Sequence, residues 1–104
     1  MAGMARQQLL DQAIQLSHDM TERGGQGEWS QVIELEARRS ALLTQAFADA
    51  VPADEAALRQ IHAILEADKQ LMSLSVEARD EAADELANMQ RGRKVKQAYR
   101  NAGA

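Results

Sequence analysis

The chain has 104 residues, with 12 basic and 16 acidic side chains, no cysteine, and one residue each of Pro, Trp, Tyr and Phe. That length suits one domain with a modest core. The missing cysteine excludes disulfides and thiolate metal sites. The net charge of −4 is unevenly spread: residues 1–90 hold 7 basic and 16 acidic groups (−9), and residues 91–104 hold 5 basic and none acidic (+5). A body this acidic repels a phosphate backbone, so nucleic acid is not an expected partner. No apolar run approaches the ~20 residues of a membrane span. The opening MAGMARQQLLDQ lacks the apolar core of a signal peptide. A cytoplasmic protein with no membrane insertion is expected.

Richness in Ala, Leu, Gln, Glu, Asp and Arg points to an all-α fold. The first helix is expected over 4–22, from Met4. Leu9, Ala13, Leu16 and Met20 form one stripe, and Leu10, Ile14 and Ser17 widen it. RGGQGEW ends it, with Gly24 and Gly25 suited to a left-handed cap. The second helix is expected over 28–49. Trp29, Ile33, Glu36, Ser40, Leu43 and Phe47 form one stripe, and Val32, Leu35, Arg39, Leu42 and Ala46 form the next. DAVPADEA stops it at Pro52, and Asp54 can cap the next helix.

The third helix is expected over 55–99. Leu58, Ile61, Leu65, Asp68, Met72, Ser75, Arg79, Ala82, Leu86 and Met89 recur at steps of three and four, and Gly92, Val95 and Tyr99 extend the pattern. A bend is expected at the serines of 73–77 or at Gly92, where glycine costs about 1 kcal/mol against alanine. Short connectors make neighbours antiparallel. The expected architecture is therefore a three-helix antiparallel bundle, one domain over 1–104, with a long C-terminal helix. Helices one and two are too short to cover its second half, roughly residues 77–100. Apolar residues there need a partner, a second copy or a fold-back.

No catalytic or metal centre is expected, and no cofactor. His18 and His62 lack the Glu-x-x-His spacing of carboxylate-bridged bundles, and His18 with Glu22 alone cannot fill a coordination shell. GGQG lacks the strand and the lysine of a phosphate loop. Counting from the turn near Val51 puts Arg39 level with Asp68, as a structural ion pair fixing register or a polar anchor for a ligand. LRQIHAILEADKQLMSL resembles the long helix of all-α chorismate mutases. Such an enzyme would need cations such as Arg38, Arg39, Arg59 and Lys69 to converge, and its long helix comes first, not last.

Three stretches together resemble the FliT-type flagellar export chaperones. GEWSQVIELEARRSALL is similar to that family's Trp followed by ELE-x-RR-x-x-LL. ILEADKQLMSL is similar to its IL-x-x-D-x-x-L, and LANMQRGRKVKQAY to its closing L-x-x-GRK…AY. The resemblance covers residues 28–100, in order. It implies a small cytosolic bundle, not an enzyme, that binds the filament-cap protein before secretion and presents it to the type III export apparatus. The implied partners are that client, the export ATPase complex and the export gate; some members also bind and inhibit the flagellar master transcription regulator. In well-known members a further C-terminal helix folds over the client groove. This chain ends soon after Tyr99, so the resemblance carries autoinhibition, and the regulation linked to it, less firmly.

The client site expected from both lines is a groove between helices two and three, built on Leu43, Phe47, Leu65, Met72, Leu86 and Met89. Val95 and Tyr99 continue the apolar surface, and Arg91, Arg93, Lys94 and Lys96 flank it as a basic docking element for an acidic partner. A competing reading is a coiled-coil adaptor whose two copies bury Leu86, Met89, Val95 and Tyr99 against each other as a homodimer.

Overall fold

The computed structural model describes residues 5–103. Three helices and no strand are present among them: α1 (Arg6–Gly25), α2 (Trp29–Ala46) and α3 (Glu55–Ala102). Met4, the expected start of the first helix, lies outside the described residues. The chain divides into two compact units, Met1–Leu74 and Ser75–Ala104.

In the first unit α1 runs antiparallel to α2 and parallel to the start of α3. The first turn of α1 meets the last turn of α2, where Arg6 Nε donates to the Ala46 carbonyl at 2.8 Å. The first two turns of α1 and α3 meet where Gln60 Nε2 donates to the Gln7 carbonyl and to Asp11 Oδ1. The core lies between all three helices and gathers Leu9, Leu10, Ala13, Ala46, Ala57 and Ile64. On α1 the stripe read from spacing is the buried one: Leu9, Leu10, Ala13, Leu16, Ser17 and Met20. Leu10 and Met20 are fully enclosed, each contributing roughly 1.5–3 kcal/mol by burial.

α1 continues three residues past the expected end at Glu22, because its cap is Gly27 and not Gly24 or Gly25. Gly27 has φ +76°, the left-handed conformation that glycine adopts without a Cβ clash. Its N–H donates to the Gly24 carbonyl at 3.1 Å, and Glu28 N–H donates to the Arg23 carbonyl at 2.9 Å. These are the two bonds of a Schellman motif. Arg23 and Glu28 also pair through their side chains at 3.0 Å. Gly24 serves packing instead. A Cβ there would stand 2.9 Å from Leu71 Cδ1 and 3.2 Å from the Trp29 ring.

α2 stops at Ala46, three residues before the expected end. Of its two candidate stripes the core takes the second. Val32, Arg39 and Ala46 are buried, with Leu35 and Leu42 half-buried. Ile33, on the other stripe, is 71% exposed. That stripe carries Glu36 and Ser40, whose burial would lack compensation. α3 starts at an Asp54 cap, whose Oδ1 accepts from Ala57 N–H at 2.8 Å. α3 is helical without interruption through 73–77 and through Gly92.

Candidate partner-binding surface

α3 meets the core of the first unit through Ala57, Ile64 and Ala67, with Ile61, Leu71 and Leu74 half-buried. The alanines let its backbone come close. The apolar line one position further round is left outside: Leu58 is 55% exposed, Leu65 53% and Met72 66%. Seven residues is close to two helical turns, so the three stand above one another on one face. Leu58, Ile61, His62 and Leu65 line a shallow hollow on it. Arg39 of α2 reaches α3 at Asp68 on this flank, so the line borders α2. Spacing put Leu58 on the α3 stripe with Leu65 and Met72, but the expected client groove included only Leu65 and Met72.

The α2 residues expected in the same groove are partly committed elsewhere. Leu43 is half-buried and packs against the core. Phe47 is 37% exposed, and the Arg6 guanidinium stands 4.8 Å from its ring centroid.

In the second unit every large side chain is exposed, including Val76, Leu86, Met89, Val95 and Tyr99. The four residues expected to form one stripe do not share a face. Leu86 and Met89 are neighbours one turn apart. Leu86 and Val95 are nine residues apart, about two and a half turns, and so lie on opposite sides. Successive steps of three, from 86 through 89 and 92 to 95, rotate the line by about 60° each time. Arg93, Lys96 and Arg100 fall on the Leu86 side, and Glu77, Asp80 and Asp84 fall on the Val95 side by the same rotation. Arg91 donates to Asn88 Oδ1 on its own helix at 3.5 Å.

A model of the family described as Flagellar protein FliT matches residues 7–101. The chain belongs to the FliT family. No curated protein and no solved structure matches it.

The polar interior of this FliT-family protein is a node that joins all three helices. Arg39 is 8% exposed. Its NH1 donates to Asp68 Oδ1 at 2.7 Å and to Ser17 Oγ at 3.0 Å. Ser17 in turn donates to the Ala13 carbonyl. Arg39 Nε is buried with no hydrogen-bond partner among the described residues. The buried cation is thereby tied to one helix on each side, to α1 through Ser17 and to α3 through Asp68.

Arg6 forms a second tie that spacing did not reveal. Besides Ala46, it donates to the carbonyls of Val51 and Pro52 and to Asp49 Oδ1 at 2.7 Å. A guanidinium in the first turn of a helix is disfavoured by that helix's own dipole. Here it faces the open carbonyls at the end of α2, which reverse the preference. An arginine at the start of one helix, opposite the end of its antiparallel neighbour, was the signal.

The cations that a chorismate-mutase-like site would need do not converge. Arg39 is in the core node, Lys69 pairs with Glu66, and Arg38 and Arg59 are exposed on different helices. His18 and His62 are exposed. Among the described residues no three His, Asp or Glu side chains gather to hold a metal ion, and no helix is long and apolar enough to cross a membrane.

Proposed function

We propose that this FliT-family protein is a cytoplasmic export chaperone that acts by binding, not catalysis. It would hold an amphipathic segment of the filament-cap protein before secretion and release it to the export ATPase complex and gate. The observation that carries the reading is the uncovered line Leu58, Leu65 and Met72, each more than half exposed on a helix whose other face is already packed. An amphipathic helix laid along such a line buries its own apolar ridge against it. Methionine at one end suits adaptable packing. Within the second unit Leu86 and Met89 form an exposed pair of their own, while Val95 and Tyr99 face the other way and suit a different contact, such as the export machinery.

The test is titration calorimetry of the full chain with a C-terminal segment of the filament-cap protein. Leu65→Asp with Met72→Asp should weaken binding about 100-fold or more, as for two interface anchors worth roughly 1.4 kcal/mol or more each. Both side chains are exposed, so folding should survive. Unchanged affinity in a folded double variant would remove the α3 line from the site.

A further inference from the structure

The seam between α1 and α2 carries a second surface, distinct from the α3 line. Two adjoining hollows, about 820 Å³ and 660 Å³, run along it and share Arg38; both are lined by α1 and α2 alone. The floor is apolar, made by buried Leu16 with half-buried Leu35 and Leu42. The α2 wall is low, because Ala37 and Ala41 stand there one turn apart and exposed. Small residues at that spacing let another backbone approach to the 8–10 Å typical of packed helices. Near the glycine turn the rim is acidic. Asp19, Glu22 and Glu34 line it, and none is in an ion pair among the described residues. Of the two cations there, Arg23 is already engaged by Glu28, and exposed Arg38, where the two hollows meet, offsets only one of the three carboxylates, so the rim stays acidic on balance.

We propose that this seam docks an amphipathic helix of a partner protein with lysine or arginine along one flank. Its apolar ridge would rest on Leu16, Leu35 and Leu42, and its basic flank would meet Asp19, Glu22 and Glu34. A helix so placed completes a fourth position around α1 and α2, the arrangement of a four-helix bundle. The charge on the rim decides the partner's chemistry. An acidic helix would meet three unpaired carboxylates, and a neutral one would leave them beside a newly dried groove. The α3 line is on another side of α2, so client and basic helix can be held at once.

The experiment uses the full chain and two synthetic amphipathic helices with the same leucine ridge, one with lysine flanks and one with glutamate flanks, read by fluorescence anisotropy. The lysine peptide should bind at least about tenfold more tightly than the glutamate peptide. Ala41→Trp fills the seam from an exposed position and should lower that affinity by about tenfold or more while leaving the melting curve unchanged. Asp19→Lys with Glu34→Lys should reverse the preference between the two peptides. Leu65→Asp with Met72→Asp should leave lysine-peptide binding as in the wild type, which separates this surface from the proposed client site. Equal binding of the two peptides, wild-type binding by folded Ala41→Trp, or loss of binding on the α3 double variant would each overturn the proposal.

Discussion

Asp68→Ala probes the node in which Arg39 links all three helices. The substitution removes a charge-assisted hydrogen bond, worth about 1.5–3 kcal/mol, and leaves Arg39 without its counter-charge. Stranding a fully buried charge costs about 3–5 kcal/mol. Two features of this site lower that figure. The Asp68 side chain is 39% exposed, so water can enter the vacated position, and Ser17 Oγ still accepts from Arg39 NH1. The expected loss is therefore about 2–3 kcal/mol, or roughly 10–20 °C in melting temperature for a domain of this size. The companion Arg39→Met separates charge stranding from simple loss of contact. It removes the buried Nε that has no partner among the described residues, keeps an apolar stem in the core, and leaves Asp68 with access to water. Its expected cost stays within about 1 kcal/mol. Trp29 fluorescence is the readout, because its ring packs over Gly24 beside Leu71 and reports on the first unit. If Asp68→Ala melts within about 2 °C of wild type, or if Arg39→Met is the more damaging change, the reasoning fails.

Two further substitutions test the ends of the bundle. Arg6→Ala should cost about 2 kcal/mol by urea unfolding, since the guanidinium holds Ala46, Val51, Pro52 and Asp49 and stacks on Phe47; Arg6→Lys should recover little, because an ammonium lacks the planar fork. Gly24→Val should destabilise by about 1–3 kcal/mol through crowding, and a Trp29 emission maximum unmoved in the native state would contradict the expectation that a Cβ added at Gly24 comes within 3.2 Å of the Trp29 ring.

The helix count and the identity of the α1 core were legible because both follow from the spacing of apolar residues in a helix with one polar and one apolar side. The cap of α1 was less legible. RGGQGEW offers three glycines, and only the hydrogen-bond pattern selects Gly27 as the left-handed one. α2 carries two apolar stripes side by side, and spacing cannot choose between them. The choice depends on which polar residue can be satisfied inside. Arg39 finds Ser17 and Asp68 there, whereas Glu36 would have to be buried beside Ser40 on the alternative stripe. On α3 the packing line passes through Ala57 and Ala67, and a search for large apolar residues passes over alanines. Leu58, Leu65 and Met72 were visible as a pattern, but their exposure was not, since the same spacing describes a core stripe and a binding face.

The last third of α3 shows where a list of apolar positions misleads most. Steps of three and four alternate around a mean near the helical repeat, and a line built on them stays on one face. Three steps of three in a row do not, so Leu86 and Val95 end on opposite sides. Charge follows the same switch. The side that is apolar at Leu86 and Met89 turns basic at Arg93, Lys96 and Arg100, and the side that is acidic at Glu77, Asp80 and Asp84 turns apolar at Val95 and Tyr99. Two straight copies therefore cannot bury all four apolar residues in one seam. A symmetric antiparallel pair centred on Leu86 and Met89 would set Arg79 of one copy near Lys96 of the other, so like charges disfavour that one arrangement. The two faces therefore differ in charge as well as in direction: the one with Leu86 and Met89 carries cations toward its C-terminal end, and the one with Val95 and Tyr99 carries carboxylates toward its N-terminal end.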